Sequence, residues 1–105
     1  MTTISDLTRD YRPALLRFLS SQSETARITG YDIGRRAVEG GLSLLDLVRV
    51  HHEILVEVIE QSPAADHVQI AKGASDFLLE VVSTFDLAHR AGLPDQAAPS
   101  VLPLA

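Results

Sequence analysis

The sequence has no cysteine and no tryptophan, and it has only three phenylalanines and two tyrosines among 105 residues. Without thiols, the chain has no disulfides, no thiolate nucleophile, no zinc ribbon and no iron–sulfur cluster. With so few aromatic side chains, a folded core must be built mainly from Leu, Val, Ile and Ala. The hydrophobic content of 46% is nevertheless high enough to predict a folded domain.

Positive charge is also scarce: the chain has nine Lys and Arg residues and fourteen Asp and Glu residues, which gives a net charge of −5. Nucleic acids and anionic membranes bind basic surfaces, so neither is an expected partner. No apolar run reaches the ~18 residues of a membrane span. Residues 1–6 lack the basic and apolar regions of a signal peptide. These absences predict a cytoplasmic location.

Apolar residues recur at helical spacing in four segments. Ser23 and Ser43 are predicted N-caps, and Gly40 follows the second segment as a stop signal. Gly30 and Gly34 lie four residues apart and predict close packing of small residues. Short loops favour antiparallel neighbours. The prediction is an all-α, four-helix antiparallel bundle over residues 1–91 that dimerises, followed by a flexible, proline-containing tail over 92–105. The helices are expected near residues 5–20, with Pro13 bending the first, 24–39, 43–61 and 65–91.

The third segment is apolar around most of its circumference. Its polar residues fall in one strip roughly 80° wide at about 100° per residue. A helix of this kind must be buried on nearly all sides, which in so short a chain suggests cover from a second subunit. The predicted core and dimer residues are Leu47, Val48, His51, Ile54, Leu55 and Val58.

Catalytic and metal sites find little support in the sequence. There is no nucleophile elbow, phosphate-binding loop or HExxH motif, so no enzyme activity and no cofactor are predicted. His51 and His52 point about 100° apart on a helix, which disfavours shared chelation. Two alternatives stay open. One is a metal- or cofactor-binding bundle using His51, His52 or His89. The other is a pure dimerisation or pH-responsive element, with His51 or His52 buried at the dimer seam.

Apolar residues on polar helix faces are the best candidates for partner binding. Ile28 and Tyr31 project into the polar side of the second helix, which Glu24 begins. Leu79 lies near the polar edge of the fourth helix. If these helices lie side by side, the residues form a contact patch. Alternatively, they pack across the dimer or under a loop. The predicted partner-binding residues are Glu24, Ile28, Tyr31 and Leu79.

Four segments occur in a characteristic order: Tyr11 with Ala14 to Leu19, Gly34-Arg35-Arg36-Ala37, Leu44 to Leu55 with His51-His52-Glu53, and Phe77 to Arg90. Together they resemble a known family, the N-terminal domain of the RsbU-type phosphoserine phosphatases of bacterial stress signalling. The resemblance extends over roughly residues 4–91.

The resemblance implies a dimeric four-helix fold related to the C-terminal domain of the clock protein KaiA. It implies a domain without catalysis that binds an RsbT-like switch kinase of the GHKL type and so activates an attached phosphatase. That phosphatase would act on an anti-anti-sigma factor. Here Gly92 and Pro94 end the last helix and no output domain is expected to follow. The phosphatase activity is therefore not carried over, and a free-standing regulator, a decoy or a fragment is expected.

Overall fold

A computed structural model describes residues 3–92, and the predicted tail beyond Gly92 lies outside these residues. Within them the protein is all helical and has no strand, which confirms the predicted all-α class. A short 3-10 turn, Ala64–Asp66, connects the third and fourth helices. The helices are α1 (Ile4–Ser21), α2 (Glu24–Glu39), α3 (Leu44–Glu60) and α4 (His67–Gly92).

The helix ends follow the local signals in the sequence. Ser23 caps α2, and its hydroxyl accepts a hydrogen bond from the Ala26 N–H. Ser43 is the N-cap of α3, as predicted, and forms a complete capping box with Asp46. Pro13 lies inside α1, which continues on both sides of it.

The most extensive contact between two helices is that of α2 with α4, which run parallel. Gly30 of α2 lies against the ring of Phe77, and Gly34 lies against the backbone of Val81 and Phe85. The residue numbers increase together along both helices, so the two helices point the same way. Because two glycines lack a Cβ at this seam, the helix backbones approach closely.

Three aromatic rings form the centre of the core. Phe77 of α4 contacts Tyr11 and Phe18 of α1, with ring centroids 5.3 and 5.2 Å apart. Such pairs contribute about 1 kcal/mol each beyond the burial of their area. Phe85 of α4 is a fourth buried aromatic residue, and the rest of the core is aliphatic: Leu7, Ala14, Leu15, Ala26, Ile33, Ala37, Leu47, Val50, Ile54, Ala74 and Val81.

Candidate interaction surfaces

The structure divides the predicted core and dimer residues of α3 into three groups. Leu47, His51 and Ile54 are buried within the subunit. Leu55 and Val58 are partly buried and pack against that core. Val48 is 38% exposed. The bundle therefore covers only one side of α3, and the rest of its apolar circumference faces outward.

The outward apolar side of α3, here called the α3 face, consists of Leu44, Leu45, Val48 and Val56. All four side chains are exposed in the single chain, Leu45 by 58%. At about 100° per residue they occupy roughly 120° of the helix circumference. Exposed apolar residues are thus gathered on one side of this helix and are not scattered singly, as is common on protein surfaces.

His51 is the one polar residue in the buried core of residues 3–92. Its Nδ1 lies 2.6 Å from the hydroxyl oxygen of Tyr11, whose side chain is fully buried. Burial lowers the pKa of the His51 imidazole, and the neighbouring His52 lowers it further. Burial likewise raises the pKa of the Tyr11 hydroxyl. The pair therefore consists of two neutral groups that join α1 to α3.

A second surface, here called the α2–α4 face, contains the predicted partner-binding residues Glu24, Ile28, Tyr31 and Leu79. Ile28 is 56% exposed, Tyr31 41% and Leu79 63%. Glu24 lies exposed in the first turn of α2. The helices α2 and α4 lie side by side, as a shared patch requires, and Ile28 and Tyr31 line one cavity together, but Leu79 is not among the residues that line it.

Glu80 connects the two halves of the α2–α4 face. Its carboxylate accepts a hydrogen bond from the Tyr31 hydroxyl at 3.4 Å and lies 3.8 Å from Nε of Arg27. Leu79 precedes Glu80, so its side chain points about 100° away from this contact. Leu79 is thus beside the Tyr31 cluster on the outer side of α4, without being part of it.

A shallow cavity of about 420 Å³ lies next to Ile28 and Tyr31. Its other walls come from Thr29, Asp32, Arg35 and Thr84. Arg35 and Asp32 are paired at 2.8 Å, so the cavity offers an apolar wall next to a closed ion pair. This arrangement suits an apolar side chain with a polar end, as a protein partner would present.

The family model of the N-terminal domain of the phosphoserine phosphatase RsbU matches residues 9–88. The chain belongs to this family. No curated protein and no solved structure matches the chain. The matched residues extend from α1 to α4 and include both surfaces described above.

Membership in the RsbU N-terminal family places the chain in a partner-switching signalling family. The matched region is a regulatory part of RsbU and not its phosphatase catalytic domain. No helix within residues 3–92 combines the length and apolarity needed to cross a membrane.

The histidines of this RsbU-family domain are kept apart by the fold. His51 points into the core toward Tyr11, whereas His52 is exposed. His89 stacks on Phe85 near the end of α4, with centroids 5.9 Å apart. In the described part of the chain, no three His, Asp or Glu side chains are placed to hold a metal ion.

Two features of the surface were not apparent from the sequence. Leu87 and Val68 of α4 are among its most exposed apolar residues. An apolar groove also runs beside Leu42, between the α2–α3 turn and the end of α4, and His89 lies at its edge. The groove has no sequence signal, because it depends on how the α2–α3 turn packs against α4.

Proposed function

We propose that this domain is a non-catalytic interaction module of bacterial stress signalling that binds an RsbT-like switch kinase of the GHKL type in the cytoplasm. Its role would be to receive the kinase in a partner-switching pathway that controls a sigma factor. The observation that carries the proposal is the α2–α4 face, where Ile28 and Tyr31 stand exposed beside a cavity. Membership in the RsbU N-terminal family supports the class of partner.

The α2–α4 face has the composition of a protein-binding site. Tyr31 combines a large apolar ring with a hydroxyl, and such residues often dominate binding energy at interfaces. Ile28 supplies an aliphatic contact beside Tyr31, and the Arg27–Glu80 and Arg35–Asp32 pairs lie around these two residues, whereas Leu79 adds an aliphatic side chain on the outer side of α4. An apolar centre with a charged rim is the usual organisation of a protein interface.

We further propose that the domain dimerises through the α3 face. Leu44, Leu45, Val48 and Val56 give α3 an uncovered apolar side. This side is distinct from the α2–α4 face, so a dimer would leave the kinase-binding residues accessible. Self-association and partner binding are thus assigned to different helices.

The kinase proposal is tested by titrating the purified chain with an RsbT-like kinase from the same organism, followed by calorimetry. The wild-type domain should bind. Ile28→Asp and Leu79→Asp should each weaken binding by about tenfold or more, because each places an unpaired charge at an apolar contact, Ile28 beside Tyr31 and Leu79 on the outer side of α4. The α-helical circular dichroism of both variants should equal that of the wild type, since both side chains are exposed.

Val68→Asp is the matched control, because it introduces the same charge at an equally exposed position of α4, near its first turn. It should bind the kinase as the wild type does. If the wild type does not bind, the assigned partner is wrong. If the wild type binds and all three variants bind equally well, the kinase is the partner but the α2–α4 face is not the surface that binds it. Loss of helicity in Ile28→Asp and Leu79→Asp would also reject the surface.

A further inference from the structure

The Tyr11–His51 pair is a buried polar contact between helices α1 and α3. The rings meet edge to face with centroids 5.6 Å apart, and the hydroxyl oxygen lies 2.6 Å from Nδ1. Tyr11 has no other hydrogen-bond partner among the described residues. We therefore assign the Tyr11 O–H as the donor and Nδ1 as the acceptor, which places the ring proton on Nε2.

The surroundings offer no compensation for a positive charge on His51. On α1, the charged neighbours of Tyr11 are Asp10, which pairs with Arg9 and Arg36, and Arg12, which pairs with Glu57 of α3. The α4 residue in contact with the Tyr11 ring is Phe77, which is apolar. The titratable neighbour on α3 itself is His52, which disfavours a positive charge on His51. Within residues 3–92, no carboxylate lies within ion-pair distance of His51.

We propose that Tyr11 and His51 form an acid-sensitive latch that holds α3 against α1 when His51 is neutral and releases it when His51 takes up a proton. Proton uptake at Nδ1 turns the acceptor into a donor. The Tyr11 O–H then faces an N–H and loses the one hydrogen bond that it makes among the described residues. Both the hydrogen bond and the favourable burial of the imidazole are lost together.

The direction of the pH effect follows from the lowered pKa of His51 in the fold. In the unfolded chain the imidazole regains its ordinary pKa of about 6.5. Above that pH both states are neutral, and the pair contributes its full stability. As the pH falls below it, the unfolded state binds a proton that the folded state does not, so stability declines toward the folded pKa.

The latch is tested on the whole chain by urea unfolding at a series of pH values from 8 to 5 (about the range over which histidines titrate). Below about pH 6.5, the unfolding equilibrium constant of the wild type should rise by up to about tenfold per pH unit from this one group. His51→Gln retains a side chain that can pair with Tyr11 but does not titrate, so it should remove most of this rise. His52→Gln changes the adjacent, exposed histidine and should leave the rise in place.

Two further measurements separate a latch from a general loss of stability. The proton NMR signal of the His51 ring should remain that of a neutral imidazole at a pH where a free imidazole is charged. Amide exchange under mildly acidic, still native conditions should accelerate in α1 and α3 around Tyr11 and His51 before it does at the α2–α4 seam. Tyr11→Phe should move the His51 titration to higher pH, because it removes the bond that favours the neutral ring.

The proposal is overturned if His51 titrates at its ordinary pH, or if His51→Gln and His52→Gln show the same pH dependence. Uniform acceleration of amide exchange in all four helices would also reject it. If His51→Gln does not fold, the proposal is tested by the NMR titration of His51 in the wild type and in Tyr11→Phe. In that case an unshifted His51 titration in Tyr11→Phe rejects the latch.

Discussion

Gly34 of α2 lies directly against the carbonyl of Val81 on α4. A Cβ at position 34 would stand 2.5 Å from that oxygen and 3.0 Å from the backbone nitrogen of Phe85. Both atoms belong to a helix backbone, which cannot rotate away as a side chain can. Of the two glycines at this seam, Gly34 is the one whose missing Cβ lets the backbones of α2 and α4 approach each other.

Gly34→Ala is therefore expected to destabilise the domain. Alanine improves helix propensity by roughly 1 kcal/mol over glycine. Overpacking of this kind costs about 1–3 kcal/mol, and the cost should lie at the upper end because the Cβ meets backbone atoms. We expect a net loss of about 1–2 kcal/mol in the free energy of unfolding, measured by urea unfolding with circular dichroism.

Gly30→Ala provides the comparison on the same helix face. Its added Cβ would lie 3.0 Å from Cε1 of Phe77, a side-chain atom that can shift slightly. The loss should be clearly smaller than for Gly34→Ala. If the two variants lost equal stability, the α4 backbone next to Gly34 would be as easy to displace as the Phe77 ring next to Gly30. That result would contradict the inference that the backbone contact is the less adaptable one.

Ser43→Ala should weaken the start of α3. The Ser43 hydroxyl accepts a hydrogen bond from the Asp46 N–H at 3.1 Å, and the Asp46 carboxylate accepts one from the Ser43 N–H. Removal of such a cap typically costs about 1 kcal/mol. Ser83→Ala, an exposed change inside α4, should leave the free energy of unfolding nearly unchanged. A similar effect for both serines would show that the cap contributes nothing.

The α3 face makes a prediction about self-association. Leu45→Glu and Val48→Glu should shift a dimer toward monomer in analytical ultracentrifugation, because each buries a charge in the apolar seam. Helix content should be retained, since both side chains are exposed in the single chain. Leu87→Glu on α4 is the control and should leave the association unchanged. A wild-type chain that remains monomeric at high concentration would refute the assigned face.

Sequence reasoning located the helices closely because their limits are set by local chemistry. Ser23 and Ser43 cap α2 and α3 at the predicted positions, and Gly40 follows α2. Pro13 gave an ambiguous signal, since proline tolerates a first turn but disfavours a helix interior. In the structure α1 continues through it. Tyr11 and Ala14, on either side of Pro13, are both buried in the core.

The division of α3 into an inner and an outer side could not be predicted. The periodicity of α3 separates its polar strip from its apolar residues, but it does not indicate which apolar residues a neighbouring helix will cover. Val48 and Leu47 are adjacent and equally apolar in the sequence, yet Leu47 is fully buried and Val48 is exposed.

The sequence alone determined the all-α class, the four helices and the family, because periodicity, capping residues and motif order are local properties of the chain. The tertiary structure decided which residues meet. It paired Tyr11 with His51 across 40 positions and set Gly34 against Val81. It also left one side of α3 and the α2–α4 face uncovered. Those outcomes depend on how four helices share one small core, and no segment of the sequence contains that information by itself.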